Sequence, residues 1–173
     1  LGGVFLITAS EHHTHCFSHS RAVGDPPYEN LQCPRCRERR PSDVVVEVVA
    51  AVAEGVHSVA PEAPVIAWNW SWEGLYGRAE EHEIIRKLPA DTVYMADFER
   101  GDKKHVLGRV LPIDEYSLSF VGPSERFRLA RDVAAERGLP VYAKLQFLST
   151  HELANVPHLP LPGVVYNKFA ALR

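Results

Sequence analysis

The chain has 173 residues and a formal net charge of −3, with 46% hydrophobic and 24% charged residues. This is the composition of a globular protein, so it excludes disordered, collagen-like and coiled-coil chains. The 19 basic and 22 acidic residues argue against nucleic acid or an anionic membrane as a partner. No apolar run approaches the ~20 residues of a spanning helix, and no leader peptide is recognisable, so we expect a soluble, cytoplasmic protein.

Apolar strands alternate with helices along the chain. Strands are predicted over 4–9, 65–70, 92–96 and 141–147, and helices over 44–56, 79–88 and 123–137. Ser42 or Asp43 is expected to cap the first of these helices. Residues 17–41 and the segment after the third strand lack periodicity and are predicted to be loops. A turn with His151 and Glu152, a proline-rich stretch and the start of a last helix complete the chain.

This alternation predicts a parallel sheet built from right-handed βαβ units. Four such units are about half of a (β/α)8 barrel, which typically needs ~250 residues. A doubly wound sheet would carry a glycine-rich phosphate turn after a strand, and the sequence has none. We therefore predict that residues 1–173 are one fragment of a TIM barrel, its carboxyl-terminal half, with the early strands and the last strand outside the chain.

Carboxylates follow two of the predicted strands. Glu11 comes directly after the first strand, and Asp97 and Glu99 come at the end of the third. Glycoside hydrolysis commonly uses two carboxyl groups, one protonated as the acid and one ionised. The structural alternative is that these carboxylates only pair with nearby Arg or Lys. Glu11 has the stronger case for catalysis, because it lies between a buried strand and a cluster of His and Cys.

The three tryptophans of the chain, Trp68, Trp70 and Trp72, alternate at the end of the second strand. Indole rings stack on the apolar faces of sugars, and Asn69 between them can bond hydroxyl or acetamido groups. Trp68 is expected to be core, whereas Trp70 and Trp72 are expected to be exposed. Gln146, at the end of the fourth strand, is a weaker candidate for substrate binding.

The most specific local pattern lies in the loop at about 12–41. Its two chelating pairs, with spacings C-x2-H and C-x2-C, are Cys16 with His19 and Cys33 with Cys36. Three thiolates and one imidazole form a tetrahedral zinc site, and such a metal would be structural. A disulfide between two of the three Cys is the alternative. His15 or His13 could replace His19, and the spacing does not choose among them.

His13 and His15 also form an H-x-H at a strand end, the pattern with which metal-dependent amidohydrolases begin their binuclear site. That function needs further His at later strand ends, where this chain has Trp-Asn-Trp, Asp-Phe-Glu and Gln-Phe. An amidohydrolase-like enzyme is therefore the second hypothesis. A carbohydrate-binding module without catalysis is the third.

Several runs of residues together resemble a group of bacterial barrel glycoside hydrolases that are distantly similar to β-hexosaminidases. They are Thr8-Ala9-Ser10-Glu11, His15-Cys16-Phe17-Ser18-His19, Cys33-Pro34-Arg35-Cys36, Ala67-Trp68-Asn69-Trp70, Gly122-Pro123-Ser124-Glu125-Arg126-Phe127 and Ala143-Lys144-Leu145-Gln146. The resemblance implies cleavage of O-glycosidic bonds, with Glu11 as the general acid and a glycan, such as one containing N-acetylhexosamine, as substrate. Those enzymes carry an adjacent Asp-Glu pair where this chain has Ser10-Glu11, so no acetamido-orienting Asp is identified. No organic cofactor is expected.

Overall fold

The computed structural model describes residues 2–114, 116–147 and 159–173. The strands and helices in these ranges are, in chain order, β1 (Val4–Ile7), α1 (Pro41–Val59), β2 (Val65–Trp68), α2 (Trp72–Tyr76), α3 (Arg78–Lys87), β3 (Thr92–Asp97), β4 (Asp102–Val106), β5 (Arg109–Ile113), α4 (Glu125–Glu136), β6 (Val141–Lys144) and α5 (Pro162–Ala170). None of the helices in these ranges has both the length and the apolar character needed to cross a bilayer. The turn predicted at His151 and Glu152 lies outside the described residues.

The four predicted strands form one parallel sheet in the order β1-β2-β3-β6. Val4 lies opposite Val65, and Val65 lies opposite Thr92, so the first three strands begin in register. The second sheet is a hairpin of β4 and β5, antiparallel, in the segment that was predicted to be a loop. The prediction of a mixed α/β fold with a parallel sheet is confirmed.

The chain divides into two compact units. The first comprises Leu1–Met95 and Val133–Tyr142, and the second comprises Ala96–Asp132 and Ala143–Arg173. Side chains of α1, α3 and β2 form the core of the first unit, because α1 repeats an apolar residue every four positions and β2 alternates. Core residues with 0% exposure are Val45, Val49, Val65, Ala67, Ile84 and Ile85.

Helix α1 begins three positions earlier than the sequence predicts. Pro41 takes its first turn, where the missing N–H of proline costs nothing, and Arg40 is the capping residue without a side-chain cap. The carboxylate of Glu80, on α3, accepts the Ser42 N–H at 2.9 Å and so satisfies a donor that the helix itself leaves unpaired. The expected cap at Ser42 or Asp43 is therefore wrong, because a residue from another helix performs this role.

In the second unit, the aromatic ring of Phe98 is completely buried and packs edge-on against Phe127, with ring centroids 5.1 Å apart. Gly122 has φ +82 and lies so close to Phe98 that a Cβ would be 2.6 Å from its Cδ1. Glycine is required here both for its backbone conformation and for the space. This contact holds the loop before α4 against the end of β3.

Candidate functional site

Glu11 and Trp70 follow neighbouring strands and meet beyond their carboxyl ends. Trp70 Nε1–H donates to Glu11 Oε1 at 3.2 Å. Glu11 is exposed and has φ +68. A positive φ is uncommon outside glycine, and backbone strain of this kind concentrates at functional sites. Glu11 is not withdrawn from water in this structure, because its side chain is exposed beside a tryptophan.

Trp70 continues a ladder of aromatic rings along the first two strands. Its ring stacks on Trp68 with centroids 4.9 Å apart, and Trp68 stacks on Phe5 at 5.4 Å. Trp68 is 4% exposed, which confirms the expectation that it belongs to the core. Trp70 is only half-buried. An accessible indole therefore lies directly beside the Glu11 carboxylate.

The expectation that Trp72 is exposed is wrong. Trp72 is 0% exposed, and its Nε1–H donates to Thr8 Oγ1 at 3.0 Å. The alternation that would have placed it beside Trp70 requires an extended chain, but β2 ends at Trp68 and Trp72 begins α2. Trp72 therefore offers no face to a sugar in this structure and instead supports the end of β1.

Asn69 is also buried, at 1% exposure. Its Nδ2–H donates to Glu81 Oε1 at 2.6 Å, and its backbone N–H donates to Met95 O at 3.0 Å. The side chain thus joins the end of β2 to α3. Its predicted contact with substrate stays a prediction.

Asp97 and Glu99, the candidates for a second carboxyl group, are buried in the second unit. Asp97 Oδ2 is 3.9 Å from the Arg100 guanidinium, and the Asp97 side chain is 1% exposed. Glu99 Oε1 lies 2.5 Å from Lys168 Nζ, and both side chains are almost completely buried. Cations therefore accompany both carboxylates, which is the arrangement that the structural alternative describes.

The Glu99 carboxylate has a second donor, the Gln146 N–H, at 2.9 Å. Burial raises the pKa of Glu99, because the loss of water outweighs the hydrogen bonds from Gln146 and Lys168. Lys168 Nζ also donates to Ser117 O at 2.7 Å. The backbone of Gln146, the predicted substrate ligand, is thus hydrogen-bonded to the Glu99 carboxylate. The roles of Asp97, Glu99 and Gln146 toward a substrate stay predictions.

The three cysteines come together as the spacing predicts. The sulfur atoms of Cys16, Cys33 and Cys36 all lie within 4.8 Å of one another, and all three thiols are free. Sulfurs that share a tetrahedral zinc ion at 2.3 Å are separated by about 3.8 Å, so a small inward movement would bring them to ligand positions. The disulfide alternative is not realised in this structure.

The surrounding loop explains how the cluster forms. The Phe17 ring next to Cys16 is completely buried, edge-on to Tyr28 at 5.6 Å and to Tyr76 at 6.2 Å. The Arg37 N–H donates to Cys33 O at 3.1 Å, which closes the turn that contains Cys36. Anchored aromatic packing on one side and a closed turn on the other thus bring the cysteines together.

The thiols differ in acidity. Backbone N–H groups of Cys36 and Arg35 lower the pKa of Cys33 to about 7, whereas burial raises the pKa of Cys36. The thiolate is the form that binds metals. Cys33 is therefore more ready than Cys36 to bind a soft cation near neutral pH.

The histidines near the cluster occupy different environments. His19, the predicted fourth ligand, is not a member of the group of three thiols. Its N–H donates to Ala9 O at 2.8 Å, its φ is +61, and its ring lies against that of His13, with centroids 4.7 Å apart. The Phe17 N–H donates to His15 Nδ1 at 3.1 Å, and burial lowers the pKa of His15 to about 4. Ligation by His19 stays a prediction.

A cavity of about 420 Å³ adjoins the thiol cluster. His13, His15, Cys16 and Cys33 line it, together with Ser18, Ser20, Asn30, Leu31 and Gln32. Sequence reasoning missed the four polar residues of this wall. They lie in non-periodic segments at no recognisable spacing, so no sequence signal identifies them.

Comparison with known proteins gives no assignment. No protein-family model, no curated protein and no solved structure matches the chain. The conclusions about function below therefore depend on the residues and contacts of the chain itself.

Proposed function

We propose that the chain is part of a glycoside hydrolase and that Glu11 is its general acid. The observation that carries the proposal is the pairing of the Glu11 carboxylate with Trp70, in solvent, beyond the carboxyl ends of two parallel strands. Barrel enzymes build their active sites at this end of their strands. The positive φ of Glu11 supports a functional role for the residue.

Substrate binding supplies the desolvation that the free site lacks. A sugar ring stacked on the accessible part of Trp70 would lie against the Glu11 carboxyl group and exclude water from it. A carboxyl group withdrawn from water holds its proton more tightly, and this is the state in which it can protonate a leaving oxygen. Glu11 would thus be placed to donate its proton to the leaving oxygen of the bound glycan.

The proposed second carboxyl group is that of Asp97 or Glu99. Asp97 is the last residue of β3, the strand next to β2 in the sheet, and Glu99 follows two residues later. The strand order supports a partial TIM barrel as the scaffold, because a barrel takes its strands in chain order, whereas a doubly wound sheet reverses direction.

Zinc is the proposed ligand of the three cysteines. Three thiolate donors suit zinc better than a hard cation. The metal would be structural: it would fix the segment that carries Glu11 to the turn before α1. The spacing predicts His19 as a fourth ligand, and its ligation stays a prediction.

Hydrolysis of a panel of alkyl glycosides, which have unactivated leaving groups and include N-acetylhexosaminides, tests the proposal. Glu11→Gln keeps an acceptor for Trp70, so the fold should persist while turnover of unactivated glycosides falls by about 10²–10⁴-fold. Sugar binding, measured by calorimetry, should remain. Glu62→Gln is the matched control at an exposed glutamate. Unchanged turnover in Glu11→Gln would reject the assignment.

A further inference from the structure

We propose that the metal site at Cys16, Cys33 and Cys36 has three protein ligands and an exchangeable fourth one. The fourth ligand is a small monodentate donor molecule that enters from the adjoining cavity and accepts a hydrogen bond from His15. This inference rests on the proposed metal binding and does not depend on the proposed glycosidase activity.

The donor set is the first observation. In the described part of the chain, three potential metal-ligand atoms lie within 4.8 Å of one another at this site. All three are cysteine sulfurs. A four-coordinate metal with three protein ligands keeps one position for an external ligand, which is the arrangement of open zinc sites.

The cavity is the second observation. Cys16 and Cys33 line a space of about 420 Å³, large enough for several atoms beyond the metal. The residues that line it include the polar residues Ser18, Ser20, Asn30 and Gln32. The external ligand is therefore expected to be small and polar.

His15 is the third observation. The Phe17 N–H donates to its Nδ1, so this nitrogen carries no proton, and the proton of the neutral ring is on Nε2. That atom is buried and has no hydrogen-bond partner in the described part of the chain. A protonated Nε2 cannot bind a metal, but it can donate, and buried donors are rarely left without an acceptor. A ligand in the cavity that His15 lines with Cys16 and Cys33 would be that acceptor.

The position of His19 agrees with this arrangement. Its backbone is bonded to Ala9 O, and its ring packs against His13 outside the group of thiols. The cavity wall includes His13 and His15 but not His19. No His19 nitrogen lies within 4.8 Å of all three sulfurs, so closing the site with His19 would require this side chain to move.

Cobalt(II) added to the reduced, metal-free protein without oxygen provides the test. Sulfur-to-cobalt charge-transfer bands report the thiolates, and the ligand-field bands report the fourth ligand. Azide, imidazole and 2-mercaptoethanol should each shift the ligand-field bands of the wild-type protein in a saturable manner. His15→Ala should weaken azide binding by about tenfold, the effect of one lost hydrogen bond, with the charge-transfer bands unchanged.

Variants separate the open site from a closed one. His19→Ala should leave cobalt affinity unchanged, like the control His12→Ala in the same loop. Cys36→Ser should weaken cobalt affinity by more than about 10–100-fold, which is the loss expected when a residue that only contacts a ligand is replaced. The inference would be overturned if none of the added ligands shifts the ligand-field bands of the wild type. It would also be overturned if His19→Ala loses as much cobalt affinity as Cys36→Ser. Either result would leave metal binding intact. If no charge-transfer bands form in the wild type, metal binding itself is refuted, and this inference with it.

Discussion

The buried pair of Lys168 and Glu99 allows a quantitative test of the second unit. Lys168→Met removes an ammonium that lies 2.5 Å from the Glu99 carboxylate, and the two side chains are 1% and 0% exposed. A buried carboxylate that loses its cation costs about 3–5 kcal/mol of stability. Since domains typically unfold with about 5–15 kcal/mol, the variant should be close to the limit of folding at neutral pH.

The loss should depend on pH with a definite sign. Burial already raises the pKa of Glu99, and removal of Lys168 raises it further. A group whose pKa is higher in the folded state favours folding when protonated, and this contribution is lost as the pH rises through the folded pKa. The penalty of Lys168→Met should therefore be smallest below pH 4.5, the ordinary pKa of Glu, and should grow toward neutral pH.

Urea denaturation followed by far-ultraviolet circular dichroism across this pH range measures the effect. Lys103→Met, at an exposed lysine, is the control for the substitution itself. Adding Glu99→Gln to Lys168→Met should restore much of the stability, because the pair then contains no charged group. A penalty that is absent, or equal at acid and neutral pH, would refute a structural ion pair and would favour a free, catalytic Glu99.

Two further substitutions test the packing. Gly122→Ala should lower the melting temperature well below that of Gly24→Ala. Both glycines have positive φ, but only at Gly122 would the new Cβ meet Phe98, at 2.6 Å. Equal melting temperatures would contradict this contact. Glu80→Ala should lower the free energy of unfolding, measured by urea denaturation, by about 1–3 kcal/mol, because the buried Ser42 N–H loses its acceptor. Glu80→Gln should lower it less. Equal stability of the Glu80 variants and the wild type would contradict the capping role.

The hairpin of β4 and β5 was missed because its sequence lacks the usual signals. Its turn residues, Leu107 and Gly108, both have positive φ, at 49° and 74°. Such turns ordinarily use Asn, Asp or Gly in both positions, and leucine at the first conceals the pattern. The first four residues of β4 are polar, so its sequence has no apolar–polar alternation that would indicate a strand. The four parallel strands were predictable because their apolar runs are continuous.

The part of the candidate site that could be predicted is the part whose residues lie close together in one short segment. The C-x2-C pair places Cys33 and Cys36 in one turn, and the structure adds Cys16 to them. The position of His19 could not be derived from spacing, since it depends on the backbone of His19 and on its ring contact with His13. Trp72 was misplaced for a similar reason: periodicity gives the side of a strand but not the residue at which the strand ends.

The most direct test of the central claim is the dependence of hydrolysis on the leaving group in wild type and Glu11→Gln. A general acid matters most when the leaving oxygen is basic and least when it is a stable phenolate. The account predicts that kcat/KM of Glu11→Gln falls by about 10²–10⁴-fold for alkyl glycosides and far less for dinitrophenyl glycosides. Equal losses for both substrates, or no loss for either, would contradict the assignment of Glu11 as the acid.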